Sequence, residues 1–184
     1  RPIHTPEDMA GLTFRTMQVP MYMMIVESLG GRPTPIEWTE VYSALETGIA
    51  DGQENPFQSV IVASLYEVQD YMTLDGHVLT YKVFCVNEDW YQSLNDDMKQ
   101  ILHHAARDGN RASYVIGRMA DVLGYDDLTS KGMEIYTPKA EEMELFKEAT
   151  IPTAKEYLSE KYGMEEIDKL LNAIEESEKA LGYK

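Results

Sequence analysis

Within its first 70 residues the chain switches repeatedly between strand and helix signals, and this alternation restricts the fold more than any other feature. Leu12-Thr13-Phe14-Arg15-Thr16-Met17 reads as a short strand with Arg15 near its carboxyl end. Pro20 suits the first turn of a helix that runs through Met24 and Ile25 to a stop at Gly30-Gly31. Residues 32–36 are extended and marked by prolines. Thr39 is expected as the N-cap of a helix through Val41, Ala44 and Leu45, ended at Gly48. After the turn at Asp51-Gly52, Asn55-Pro56 reads as cap and first residue of a helix through Val60, Ile61, Leu65 and Val68. Strand, helix, strand, helix, turn and helix in so short a span predict an α/β sheet.

The remainder is richer in helix. Residues 71–74 and 77–86 read as strands, the second almost continuously apolar. Asn95 caps a long helix from Asp96 to about Leu123, interrupted by Gly109 and Gly117. At ~1.5 Å per residue it reaches ~40 Å, enough to run between two lobes. Residues 134–137 form one more short strand, and Pro138 opens a helix expected to kink near Pro152 and end at Gly163. The last helix, Met164–Leu181, carries Ile167, Leu170, Leu171, Ile174 and Leu181 at amphipathic spacing.

Charge and composition then exclude several functions. The 184 residues hold 32 Asp and Glu against 16 Lys and Arg, a formal charge of −16, so there is no basic stripe for nucleic acid. At 43% hydrophobic the chain can bury a core, yet no apolar run nears the ~20 residues of a membrane span. The single Cys85 excludes an internal disulfide and a multi-cysteine zinc site, and its apolar surroundings predict a buried small hydrophobe. The chain opens on Arg1-Pro2 with neither an initiator Met nor a signal sequence, so it is expected to begin inside a longer gene product.

Few residues promise chemistry. No phosphate-cradling glycine loop, nucleophile elbow or His-x-x-x-His pair occurs. His103 and His104 are adjacent, about 100° apart on a helix, and are read as exposed. Met17, Met21, Met23 and Met24 are read as core packing rather than a soft-metal site. Arg15 stands apart. Residues 1–80 contain 11 acids and only three basic residues, Arg1, Arg15 and Arg32, so any anion site there relies on very few cations. A guanidinium in an apolar strand needs either a structural ion pair or a ligand, and the carboxyl end of a strand is where α/β sheets bind ligands. Asn55 is open between helix cap and ligand contact, and Trp38 between core and pocket wall.

Taken together, Gly11-Leu12-Thr13-Phe14-Arg15, Pro33-Thr34-Pro35, the run from Glu40 to Gly48 and Asp51-Gly52-Gln53-Glu54-Asn55-Pro56 carry a resemblance. Tyr66-Glu67-Val68-Gln69, Tyr71-Met72-Thr73 and His77 continue it in order. The sequence resembles the solute-binding proteins of tripartite ATP-independent periplasmic (TRAP) transporters, of the C4-dicarboxylate-binding type, strongly over residues 1–95. The resemblance implies a two-lobed α/β receptor of the type II periplasmic-binding-protein kind. Such a receptor is exported to the periplasm, captures a small organic acid such as a dicarboxylate or sugar acid, and passes it to a membrane permease.

It also implies residue roles. Arg15 matches the arginine that makes a bidentate salt bridge to the ligand carboxylate, and Asn55 matches an asparagine contacting the same ligand. Trp38 holds the position of a pocket-lining aromatic, Gln18 that of a substrate-dependent polar contact, and His77 lies near the lobe crossover. Residues 1–80 are expected in the second lobe, 81–120 in the first lobe and hinge, and 121–184 back in the second lobe. The family carries a further N-terminal segment ahead of Arg1 that supplies most of the first lobe and commonly another arginine. Dimerisation, domain exchange or a separate fragment would otherwise cover the apolar surface of residues 81–120. Neither metal, cofactor nor covalent chemistry is implied. The competing readings are an acid–base enzyme acting on organic acids and a helical interaction module over residues 138–184.

Overall fold

The computed structural model describes residues 1–79 and 83–182. In chain order the regular elements are β1 (Thr13–Thr16), α1 (Pro20–Ser28), β2 (Arg32–Pro35), α2 (Val41–Glu46), β3 (Gly52–Gln53) and α3 (Phe57–Val62). They continue with β4 (Tyr71–Thr73), α4 (Glu88–Ser93), α5 (Asp96–Ser130), β5 (Glu134–Tyr136), α6 (Ala140–Tyr162) and α7 (Met164–Leu181). The α/β class expected from the sequence is the one observed. Two compact units share these elements, and neither is a single stretch of chain: Arg1–Glu54, Glu67–Asp75 and Glu134–Lys184 form the first, Asn55–Tyr66 and Gly76–Met133 the second.

The first unit is built on parallel strands. β1 lies between β2 and β3, pairing Thr13 with Arg32, Arg15 with Thr34 and Gln53, and Thr16 with Pro35. Arg32 N–H donates to Leu12 at 2.8 Å and Ile36 N–H to Thr16 at 3.3 Å, so the even-numbered residues of β2 serve this ladder. Its prolines, 33 and 35, occupy the odd positions, where a missing N–H costs β1 nothing. Phe14 crosses so close to Gly52 that a Cβ there would lie 2.4 Å from the edge of its ring, which makes this position glycine's. β4 and β5 form a separate parallel pair. Phe14 packs against a core of Met9, Val26, Leu29 and Phe146, the last supplied by α6.

The second unit rests on α5. Asn95 Oδ1 accepts from Met98 N–H at 2.9 Å, and Asp96 and Asp97 sit at the positive end of the helix dipole. The 35 residues run without a break past Gly109 and Gly117 to Ser130, longer than the expected end near Leu123. α3 packs on this helix through Phe57, and Val60, Leu65 and Leu128 are fully buried.

Other expectations fail locally. Thr39 does not cap a helix; it lies inside a short 3-10 turn, Trp38–Glu40, that leads into α2. Pro56 rather than Asn55 is the N-cap of α3. That helix stops at Val62 instead of reaching Val68, with the left-handed Ser64 (φ 53°) just beyond three consecutive β-branched residues. In the predicted strand over 77–86, residues 77–79 and 83–86 are not in strand, and 80–82 lie outside the described residues. An apolar run becomes a strand only where a partner completes its ladder. Val83 and Phe84 are accordingly exposed, and so is Cys85, which had been expected in a core.

Candidate ligand-binding site

Arg15 is only 4% exposed and, with its strand neighbour Thr16, is a polar residue buried among mostly apolar ones. The parallel ladder places it on the middle strand, one residue from its carboxyl end. Its Nε donates to the Ile36 carbonyl at 2.9 Å, just past the end of β2. Its guanidinium carbon lies 5.8 Å from the Trp38 ring centroid. Burial pulls the Arg15 pKa down, opposed by the carboxylates of Glu54 and then Glu37. An arginine has so much headroom that it stays charged regardless. The Ile36 bond occupies one edge of the guanidinium and fixes its plane. The Nη1–Nη2 edge carries the parallel N–H pair whose spacing matches two carboxylate oxygens.

The structure thus brings Arg15 and Trp38 together, and Trp38, 44% exposed, is not a core residue. Gln18 belongs to the same unit, exposed in the bend between β1 and α1. Asn55 and His77 belong to the second unit, Asn55 half-buried and His77 exposed, both outside regular elements. The capping explanation of Asn55 does not hold, because α3 starts one residue later than predicted.

Three participants near Arg15 escaped the sequence reading: the Ile36 carbonyl, Glu37 and Glu54. Glu37 adjoins Trp38 and Glu54 lies between Gln53 and Asn55, while Ile36 comes two residues after Thr34, the partner of Arg15 on β2. Tyr22 is drawn into the same environment; burial first, and the Glu54 charge second, push its phenol pKa up. Among the described residues no group of three His, Cys, Asp or Glu side chains is placed to hold a metal ion. No helix among them is long and apolar enough to cross a membrane.

Arg15 thus lies buried near the carboxyl end of a parallel strand with an aromatic ring on its flank, the end of α/β sheets at which small molecules generally bind. The chain belongs to the bacterial extracellular solute-binding protein family 7, which it matches over residues 1–161. This is a family of solute-binding proteins, not enzymes. A solute-binding protein of Verminephrobacter eiseniae is 35% identical over 73% of this chain and 40% of its own length. The ectoine-binding periplasmic protein TeaA of Halomonas elongata is 38% identical over 57% of this chain and 31% of its own. The crystal structure of a TRAP periplasmic solute-binding protein from Ralstonia eutropha H16 with bound (S)-2-acetolactate superposes with a TM-score of 0.89 at 27% identity. That match covers 96% of this chain and 57% of the other. The chain therefore spans about half, or less, of the length of the relatives it matches.

Proposed function

We propose that this chain supplies the carboxylate-gripping part of a periplasmic receptor that captures a small organic acid and delivers it to a TRAP membrane permease. The observation that carries this reading is Arg15: buried, central in a parallel sheet, with its plane fixed by Ile36 and its flank covered by Trp38. A bidentate arginine–carboxylate pair in a partly desolvated site is worth ~1.5–3 kcal/mol per charged hydrogen bond, so two such bonds account for much of a micromolar affinity. The relative from Halomonas elongata is named for ectoine and the Ralstonia structure holds acetolactate, both of them carboxylates. Gln18 and Asn55 would orient the remaining polar groups of the ligand, and His77, expected near the lobe crossover, would add a further contact. Residues 1–80 and 121–184 would serve one lobe of the receptor, and residues 81–120 the other lobe and the hinge.

Mass spectrometry of small molecules released from the denatured full-length protein identifies the acid, and calorimetry with that acid tests the site. Arg15→Lys is expected to weaken binding by about 100-fold or more, since an ammonium offers a point charge in place of the fork. Unchanged affinity in Arg15→Lys would remove Arg15 from the site.

A further inference from the structure

The strand that carries Arg15 is four residues long, and its neighbour β3 only two, so few ladder bonds set the register between them. Register matters because side chains alternate between faces. A slip of one residue would turn Arg15 away from the side on which it meets the Ile36 carbonyl.

The amino end of this short ladder is closed by a side chain. Thr13 lies two residues before Arg15, on the same side of the pleat. Its N–H donates to Asp51 Oδ2 at 2.8 Å, and its carbonyl accepts from the Asp51 N–H at 2.7 Å. In a parallel pair the N–H and C=O of one residue ordinarily engage two residues of the neighbouring strand, two apart in sequence. The ordinary acceptor for the Thr13 N–H would be Ile49, which lies in the bend after α2 and is 62% exposed. The Asp51 carboxylate stands in for that carbonyl and pins Thr13 at both of its backbone groups. On the other flank, Arg32 donates its N–H to the Leu12 carbonyl at 2.8 Å and its Nη2 to the Gly11 carbonyl at 2.6 Å. β1 is thus held from both sides just ahead of Arg15, which then pairs with Thr34 and Gln53.

Building on the carboxylate role proposed for Arg15, we propose that Asp51 is a positioning residue for ligand binding: through Thr13 it fixes the register of β1 on β3, and with it the place at which the Arg15 guanidinium is presented. What counts is its acceptor oxygen rather than its charge.

The test uses the full-length protein with isotope-labelled arginine, in which the Arg15 Nε–H resonance is the one missing from Arg15→Lys. Calorimetry with D-glucuronate, ectoine and succinate as carboxylate probes accompanies it. Asp51→Ala is expected to move the Arg15 Nε–H resonance, because the bond to Ile36 is disturbed. It should also weaken the best-bound probe about tenfold or more, the loss of one charged hydrogen bond of the fork. Asp51→Asn, which keeps the acceptor oxygen, should restore both to near the unaltered values. Gly124→Ala, in the other unit, should lower the melting temperature and leave both readings in place. If Asp51→Ala does not fold, Asp51→Glu replaces it; its acceptor sits one methylene further out, and a loss of about threefold is expected. An unmoved resonance would overturn the inference whatever the affinity. So would Asp51→Asn behaving like Asp51→Ala, or Gly124→Ala moving the resonance as far. If Arg15→Lys abolishes binding and the Asp51 variant does not weaken it, the positioning role falls while the carboxylate role of Arg15 stands. If none of the three probes binds, or Arg15→Lys leaves affinity unchanged, both fall together.

Discussion

Arg15 and Thr16 are neighbours on one strand, and pleating turns them to opposite faces. Arg15 is held by Ile36, whereas the Thr16 hydroxyl is buried completely and has no hydrogen-bond partner among the described residues. A buried hydroxyl left unpaired costs free energy, so Thr16→Val, which keeps the volume and removes the orphan, should stabilise the protein by about 1 kcal/mol. Thermal denaturation should show a melting temperature raised by a few degrees, with carboxylate affinity unchanged because the side chain lies on the face away from Arg15. At this scale the sequence was informative wherever a residue type clashed with its setting. A guanidinium in an apolar strand is such a clash, and Arg15 was legible for that reason. Glu37 and Glu54 were not, since exposed acids are common in a chain of this composition and only strand pairing shows which of them approach the arginine. Cys85 misled because an apolar neighbourhood in sequence is not an apolar neighbourhood in space.

Elements were legible where their ends carry local chemistry. Pro20, Asn95 and the left-handed Gly163 between α6 and α7 each act through their own backbone or side-chain geometry, and each sits at the boundary it predicted. The strand expected over 77–86 depended on a partner strand, which no local pattern can supply. Glycines within α5 show the same limit. Gly109 and Gly117 looked like interruptions, yet the helix runs through both, and a Cβ at either would meet nothing within 4 Å. Gly124, which drew no notice, is the one under constraint: a Cβ there would lie 2.6 Å from Phe57 Cβ. Alanine at 124 should therefore push α3 away and destabilise by about 1–3 kcal/mol. Alanine at 109 or 117 should instead stabilise by up to ~1 kcal/mol through helix propensity. Chemical denaturation followed by circular dichroism distinguishes the two classes by the sign of the change.

At the scale of the whole molecule, each unit is assembled from separated segments, and no glycine-, serine- or proline-rich linker marks the crossings, so composition gives no sign of where they fall. The net charge of −16 has a consequence for acid stability. Glu142 accepts from the Tyr136 hydroxyl at 2.5 Å and from the Lys139 N–H at 2.7 Å, in that order the causes that hold its pKa below the usual carboxylate range. Asp8 is lowered likewise by the His4 and Thr5 N–H groups. A carboxylate depressed in the folded state contributes stability above its unfolded pKa and loses it as pH falls through the folded value. Mild acid first relieves repulsion among the surplus carboxylates, so stability should hold or rise from pH 7 to about 5 and fall below about 4. Glu142→Gln, which keeps an acceptor but does not titrate, should flatten the acid limb of a melting-temperature profile; an unchanged limb would discount this pair.

The placement of Pro33 and Pro35 reaches beyond their own sheet. The outward side of β2 offers carbonyl acceptors at these two positions but no donors, so a strand from another molecule laid along it would find only half a ladder. The two prolines thus act as a guard against edge-to-edge polymerisation of this sheet, denying a second copy the donors it would need to template on β2.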